Sequence, residues 1–138
     1  MKVSGRAAII VIVAVAALAV AAGFYTAELW RNDVDYGNVS IDTASGLIKD
    51  NPDMVILDVR TTTEYSEGHI KDAVNIPVDT LETRLDELSQ DAKILVHCRT
   101  GNRSSTAVNI LEENGFTKLY HMHEGISVWI EQGYPVIQ

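Results

Sequence analysis

The chain has 138 residues and a formal net charge of −8 at pH 7, and this length suits one domain rather than two. Every Asp and Glu lies at or after Glu28, so residues 28–138 carry 19 acidic against 9 basic side chains, a net charge of −10. We therefore expect no nucleic-acid partner, because contacts to phosphate require clustered Lys and Arg.

The chain begins with a hydrophobic segment. Residues 7–25 contain no charge, and Lys2 and Arg6 precede them. The run is long enough for a membrane-spanning helix, although Ala19-Val20-Ala21 within it also fits a signal-peptide cleavage site. We expect residues 1–27 to be a signal anchor or a cleaved signal peptide, and the length favours the anchor. On either interpretation the following domain is exported, and it is either held on the membrane by an N-terminal hydrophobic helix or released as a periplasmic or secreted protein.

The next segment is polar and carries no hydrophobic period, so we interpret residues 28–38 as a linker. Apolar runs of strand length then alternate with helix-like stretches that end at Gly or Pro. We predict strands over 39–41, 54–59, 73–76, 93–97 and 119–122, and helices over 43–49, 61–67, 80–88, 103–114 and 126–132. This alternation predicts an α/β domain over residues 39–138, with a five-stranded, mostly parallel sheet and helices on both faces.

The single cysteine of the chain, Cys98, lies at the end of a predicted buried strand. Ligands of parallel sheets bind beyond the carboxyl ends of strands, and the loop after Cys98 carries Arg99, Gly101 and Arg103. Backbone amides of that loop, together with the N-terminus of the following helix, form a cradle for an anion and lower the pKa of a thiol within it. We therefore predict that Cys98 is a reactive, partly exposed nucleophile rather than a core filler.

A thiolate in such a cradle can attack phosphorus or sulfur. Protein tyrosine phosphatases carry His-Cys, a glycine three residues on and an arginine six residues after the cysteine. Here His97-Cys98 and Gly101 match, but Arg103 follows the cysteine after five residues. The shorter loop makes a smaller cradle and resembles that of the rhodanese family of sulfurtransferases.

The resemblance to rhodaneses extends over about 100 residues in three blocks. The first block runs "VILDVRTTTEYSEGHIKDAVNIP", and the last ends the chain. Matching positions are Asp58, Arg60, Glu64, Gly68, His69, Ile70, Ala73, Asn75, Ile76 and Pro77 in the first, and Gly125, Trp129, Gly133, Tyr134 and Pro135 in the last. Glu124 stands where the family pattern usually has a glycine, and we expect it to alter the backbone of that turn. Asp72, after Lys71, also replaces a usual glycine, and we expect this change to have little effect.

The resemblance implies a rhodanese-like fold and a sulfurtransferase. Cys98 would take a sulfane sulfur from a donor such as thiosulfate or a persulfide, carry it as a persulfide, and pass it to a thiol of a small molecule or a protein. No cofactor is expected. Anion-binding roles are implied for the loop and its flanks: Arg99, Thr100, Gly101, Asn102, Arg103, Ser104 and Arg60. Asp58 is expected to support the fold beside the loop, and Glu64 and His69 to fix the following turn.

The remaining histidines are given no chemistry. Alternation along the strand points His97 away from Cys98, so it is a poor general base for that thiol. His121 and His123 share one side of a strand, but structural zinc generally needs four ligands, and we predict no metal site. The alternatives to a sulfurtransferase are a phosphatase or arsenate reductase on the same fold, and a noncatalytic module that binds an anion or a partner.

Overall fold

The computed structural model describes residues 36–138. The predicted hydrophobic head, 1–27, and most of the predicted linker lie outside the described residues. The strands are β1 (Gly37–Val39), β2 (Val55–Asp58), β3 (Val74–Asn75), β4 (Ile94–His97) and β5 (Leu119–Met122). The helices are α1 (Ile41–Asp50), α2 (Thr62–Glu67), α3 (Val78–Leu81), α4 (Asn102–Glu113) and α5 (Gly125–Glu131), with a 3₁₀ turn at Leu85–Glu87.

The five strands form one sheet in the order β1-β5-β4-β2-β3, and every pairing in it is parallel. The predicted α/β class and five-stranded sheet are confirmed. Parallel strands require crossover connections, which the helices supply. In the part of the chain that the structure describes, no helix is long and apolar enough to cross a membrane.

One hydrophobic cluster fixes which way β4 and the residue after it face. Ile94, Val96 and Cys98 belong to it, together with Leu57 and Val59 of the neighbouring strand. Side chains of a strand alternate between the faces of the sheet. The intervening His97 therefore lies on the other face.

The first predicted strand and helix need correction. The strand is Gly37–Val39, so two residues of the expected linker belong to the sheet. It is a short edge strand, and its pairing with β5 rather than its own sequence pattern defines it. The first helix begins at Ile41, two residues before its predicted start, and the side chain that caps it is Ser40, whose Oγ accepts from the Thr43 amide at 3.3 Å.

The predicted helix 80–88 is also wrong. The chain forms the short helix α3 and then the 3₁₀ turn, because Arg84 leaves the helical region at φ −123° and ψ 18°. Leu81 and Leu88 of this segment are nevertheless both buried in the same hydrophobic cluster. Burial of these two side chains drives the segment onto the sheet, and it does not require a continuous helix.

The two departures from the family pattern have different consequences. Glu124 has ordinary helical backbone angles, φ −75° and ψ −18°, so no glycine is needed there. Its carboxylate Oε2 accepts a hydrogen bond from the Ile41 amide at 3.2 Å, which satisfies a free donor at the start of α1. Asp72 instead has φ +64°, the left-handed region that favours glycine.

Candidate active site

Cys98 follows the last residue of β4 and lies at the base of the loop that leads into α4. Gly101 caps that helix with φ +101°, and its amide donates to Cys98 Sγ at 3.1 Å. Only 1% of Cys98 is exposed. The expectation of a partly exposed thiol is therefore wrong, because the loop wraps the sulfur.

Several donors converge on this sulfur. The Gly101 amide makes the direct hydrogen bond, and the amides of Thr100 and Ser104 and the Ser104 hydroxyl add to it in the balance that sets the pKa of the thiol. Burial by itself raises the pKa of the Cys98 thiol. The hydrogen bonds outweigh it, so the pKa lies below its ordinary value. The site therefore favours the thiolate, the nucleophilic form of cysteine.

The start of α5 fixes the orientation of the loop backbone after Cys98. The Ile126 amide donates to Cys98 O at 2.9 Å, and Ser127 donates to Arg99 O through its amide at 3.1 Å and its Oγ at 2.8 Å. In a trans peptide the C=O and the following N–H point in opposite directions. Anchoring these two carbonyls on α5 consequently turns the next two amides, those of Arg99 and Thr100, away from α5.

Two glycines make this close contact possible. A Cβ on Gly101 would lie 2.1 Å from His123 O, and a Cβ on Gly125, at φ +75°, would lie 2.2 Å from Arg99 O. Both distances are far below any normal carbon–oxygen contact, so no other residue fits without moving the backbone. The loop and the turn before α5 therefore form one rigid unit.

Two of the three predicted cations are already bound to carboxylates. The Arg103 guanidinium lies on Glu64, with Nη1–Oε2 at 2.7 Å and Nη2–Oε1 at 2.8 Å. This hydrogen bond lowers the pKa of Glu64 from 4.5 to about 2, against the opposing effect of burial and with help from Thr61. The pair ties the start of α4 to the start of α2, which gives Arg103 a structural partner; its role as an anion ligand stays a prediction.

Arg60 is held in the same way. Its Nε donates to both oxygens of the fully buried Asp58, at 2.9 and 3.0 Å, and its Nη2 donates to Gly68 O at 2.8 Å. Asp58 thus neutralises Arg60 and fixes the loop after β2, in keeping with its expected supporting role. Arg60 lines the cleft next to the Cys98 loop, but its charge is already paired with Asp58.

Arg99 is different. It is exposed, and its guanidinium makes no hydrogen bond with residues 36–138 in the structure. Arg99 lines a cleft of about 430 Å³ next to the Cys98 loop. The other lining residues are Arg60, Glu64, Glu67, Gly68, Ile126, Ser127, Ile130 and Val136. Asn102, the first residue of α4, is also exposed.

His97 is fully buried on the opposite face. Its Nδ1 lies 3.2 Å from Cys98 O, and its Nε2 lies 3.8 Å from Asp58 Oδ2 and has no hydrogen-bond partner within the described residues. Burial lowers the pKa of His97 despite the nearby Asp58 carboxylate. Its ring contacts the backbone of Cys98 and not the sulfur, as alternation along the strand predicted.

The sequence reasoning missed two sets of contacts. It assigned no partner to Glu64, which lies 39 positions from Arg103. It also missed that Ser104 Oγ lies 2.8 Å from His121 Nε2, and that His121 Nδ1 lies 2.9 Å from Asn38 Oδ1. No local sequence signal connects residues so far apart in the chain.

The histidines of the last strand do not form a metal centre. His123 Nδ1 lies 3.1 Å from Val39 O, and the rings of His121 and His123 are 6.4 Å apart. Among residues 36–138, no group of three His, Cys, Asp or Glu side chains is placed to hold a metal ion.

Comparison with known proteins agrees with this geometry. The profile of the Rhodanese-like domain matches residues 40–132. A sulfurtransferase from Allochromatium vinosum is 28% identical over 99 residues, which cover 72% of this chain and 92% of that protein. A tRNA uridine(34) hydroxylase from Cronobacter sakazakii is 38% identical over 97 residues, but the chain spans only 28% of its length.

Solved structures show the same fold. A rhodanese-related protein from Thermoplasma volcanium has a TM-score of 0.66 and 34% identity, over 74% of this chain and 98% of that one. A rhodanese-like domain protein from Staphylococcus aureus has a TM-score of 0.65 and 27% identity, over 73% and 98%. The family profile covers more than half of the sequence, and the chain belongs to the rhodanese-like domain family.

Proposed function

We propose that this protein is a sulfurtransferase that carries a sulfane sulfur on Cys98. The observation that carries the proposal is the position of Cys98 Sγ inside a loop whose Gly101 amide donates to it, where hydrogen bonding lowers the pKa of the thiol and favours its thiolate. The Allochromatium vinosum relative, which matches over nearly its whole length, is named a sulfurtransferase.

The reaction runs in two displacements at sulfur. The Cys98 thiolate attacks the outer sulfur of a donor such as thiosulfate; a new S–S bond forms, the donor's S–S bond breaks, and sulfite leaves with the electron pair. An acceptor thiolate then attacks the outer sulfur of the Cys98 persulfide. That bond breaks in turn and the Cys98 thiolate returns, so no external oxidant or reductant is needed.

The chain's own groups have separate parts in these steps. The loop amides and the Ser104 hydroxyl stabilise the negative charge on Cys98 Sγ before attack and after release. Arg99 is the exposed cation beside the cleft and meets the charged end of the donor. Ile130 and Val136, exposed at 50% and 37%, form an apolar side of the same cleft. This side contacts the apolar part of the acceptor thiol.

Intact-mass measurement after incubation with thiosulfate tests the proposal. We expect the protein to gain one sulfur atom and to lose it on addition of an excess of a small thiol. The Cys98→Ser variant, which keeps the side-chain shape and removes the nucleophile, should gain none. If the protein gains no sulfur but turns over a phosphate ester or arsenate, it is a phosphatase or an arsenate reductase and the proposal is wrong.

We also propose that the domain works outside the cytoplasm, attached to the membrane through residues 7–25. The uncharged run after Lys2 and Arg6 supports this placement. The mass of the mature N-terminus tests it: an intact chain in the membrane fraction is expected, a shortened soluble one would show signal cleavage, and an intact chain in the cytosol would contradict export.

A further inference from the structure

The charges that line the cleft next to the Cys98 loop cancel. Arg60 and Arg99 are positive, and Glu64 and Glu67 are negative. Arg60 and Glu64 are each already paired with a side chain of opposite sign. The side chains of Glu67 and Arg99 have no such partner among residues 36–138, so the cleft presents one free anion and one free cation. Thiosulfate is a divalent anion, and a cleft concentrates such an ion when its lining has mainly the opposite charge. A donor with at most one negative charge suits this lining better.

One side of this cleft is apolar and comes from two segments of the chain. Ile130 belongs to α5 and Val136 to the tail that follows it, and both are exposed where they line the cleft. Covering such surface with an apolar group is favourable, because it removes apolar area from water on both partners. Thiosulfate has no carbon and leaves this side uncovered, whereas an alkyl group covers it.

The tail that carries Val136 is fixed before any ligand arrives. Ile137 and His69 exchange two backbone hydrogen bonds of 2.8 Å, and Trp129 Nε1 donates to Pro135 O at 3.0 Å. A preformed wall loses little conformational entropy when a ligand binds. Ile137 is itself 45% exposed, but it does not line the cleft, since successive side chains of an extended segment point to opposite sides.

The cover over the thiol restricts the shape of the donor. Only 1% of Cys98 is exposed. The cleft borders its backbone through Arg99, the next residue, and through Ile126, whose amide donates to Cys98 O. In an organic persulfide, R–S–SH, the transferred sulfur is the end of a narrow chain. In thiosulfate it is attached directly to a bulky sulfonate group, so the persulfide reaches a covered thiol with less movement of the loop.

We propose that the preferred sulfur donor is the organic persulfide of a small aliphatic thiol, and that Ile130 and Val136 select it over thiosulfate. The Cys98 thiolate attacks the outer sulfur of R–S–SH and a new S–S bond forms. The S–S bond of the donor breaks, and its inner sulfur leaves with the electron pair as the thiolate R–S⁻. The outer sulfur keeps its proton, so charge and electrons balance without an oxidant. Transfer to an acceptor thiol is the same displacement in reverse, and the same apolar side serves both steps.

The test is the rate at which Cys98 gains sulfur in a single turnover, measured by quenched intact mass with Cys98→Ser as the blank. The donors are thiosulfate and the ethyl, propyl and butyl persulfides. The persulfides share the same reacting atoms, so a difference among them reports contact with the alkyl chain. We expect the second-order rate constant to rise about twofold with each added methylene, since complete burial of a methylene gives about fourfold. Rate constants that do not depend on chain length would overturn the proposal.

Two substitutions in the tail form a matched pair. Val136→Ala removes part of the apolar side and should reduce the rise to about 1.4-fold per methylene, without changing the rate constant for thiosulfate. Ile137→Ala shortens the neighbouring exposed side chain outside the cleft and should leave the full rise. The double variant Ile130→Ala/Val136→Ala should abolish the rise. Equal effects of Val136→Ala and Ile137→Ala would overturn the proposal.

The charge argument has its own variant. Glu67→Gln should raise the rate constant for thiosulfate about three- to fivefold at low salt and that for the alkyl persulfides by less than about twofold, because the Coulomb energy scales with the charge of the donor. High salt should remove the difference. Glu113→Gln, an equal change at the far end of α4, should alter neither. An unchanged thiosulfate rate constant in Glu67→Gln would refute the selection by charge.

The inference rests on the proposed sulfurtransferase function, and the same experiment separates the two. The chain-length series uses the unaltered protein, so it holds even if a variant fails to fold. If neither thiosulfate nor a persulfide adds sulfur to Cys98, the proposed function is wrong. If both donors add sulfur but the persulfides show no dependence on chain length, the proposed function stands and the selection by Ile130 and Val136 is wrong.

Discussion

Replacement of Glu64 by Gln tests whether the ion pair with Arg103 stabilises the domain by joining the start of α4 to α2. Glu64 pairs through both oxygens with Arg103 and also caps α2, accepting from the Thr61 amide at 3.0 Å. Gln can still serve the cap, but it has no charge for Arg103. The substitution therefore isolates the ion pair from the helix cap.

The magnitude follows from the pKa of Glu64, which falls from 4.5 to about 2 on folding. Without any correction for solvent, a shift of that size corresponds to a contribution of about 3 kcal/mol to the free energy of unfolding. The two side chains are 24% and 35% exposed, and solvent reduces exposed pairs to about 1 kcal/mol or less. We expect Glu64→Gln to lower the free energy of unfolding by about 1–2 kcal/mol at pH 7.

The effect should depend on pH with a definite sign. Because folding lowers the pKa of Glu64, its contribution is complete above about pH 4.5 and is lost as the pH falls through about 2. The difference between the two proteins in urea unfolding, followed by circular dichroism, should be full at pH 7 and pH 5 and shrink steadily below pH 4.5.

Glu67→Gln is the matched control, since it removes the same charge from the same helix at an exposed position. We expect it to change the stability by less than about 0.5 kcal/mol. Equal losses in the two variants, or a Glu64→Gln deficit that stays constant from pH 7 to pH 3, would refute the ion pair as the cause.

Three further predictions concern the backbone and are measured by urea unfolding. Asp72→Gly should be neutral or stabilising, since φ +64° disfavours any residue with a Cβ, and Asp72→Ala should cost up to about 1 kcal/mol, because Ala lacks the short polar side chain that lets Asp tolerate this conformation; equal stabilities would contradict this. Gly125→Ala should cost at least about 2 kcal/mol by driving Arg99 O out of place, and it should raise the pKa of the Cys98 thiol. Gly46→Ala in α1, with open space around it, should instead stabilise by about 0.5–1 kcal/mol; the reverse order would refute the role of the close contact between Gly125 and Arg99 O. Glu124→Ala should cost about 1 kcal/mol through the lost cap of α1, and no loss would mean that water replaces the carboxylate.

Local sequence patterns were sufficient for most of the architecture. The apolar run that ends at Asp58 and the run that ends at His97 are buried parallel strands in the structure, and the last strand, Leu119–Met122, has the predicted bounds. Continuous hydrophobicity over a few residues bounded by turn formers is a property of the segment itself. The edge strand at Gly37 lacks such a run, and only its pairing with β5 makes it a strand.

The position of Cys98 was predictable from the sequence, and the contacts of the residues around it were not. The position of Cys98 between a strand and a helix already placed it among backbone amides, because this follows from the parallel topology. The partners of the flanking groups depend on which distant segments pack together. Arg103 lies on Glu64, and His121 lies behind Ser104.

By itself the sequence therefore determined the fold class and the position of Cys98 at the start of the loop between β4 and α4. These depend on short-range periodicity and on residues within one loop. Only the tertiary structure decided that the thiol is covered, that two arginines are paired with carboxylates and that His121 lies on Ser104. Such facts depend on how α2, α4 and β5 pack around the loop, and sequence spacing contains no information about those distances.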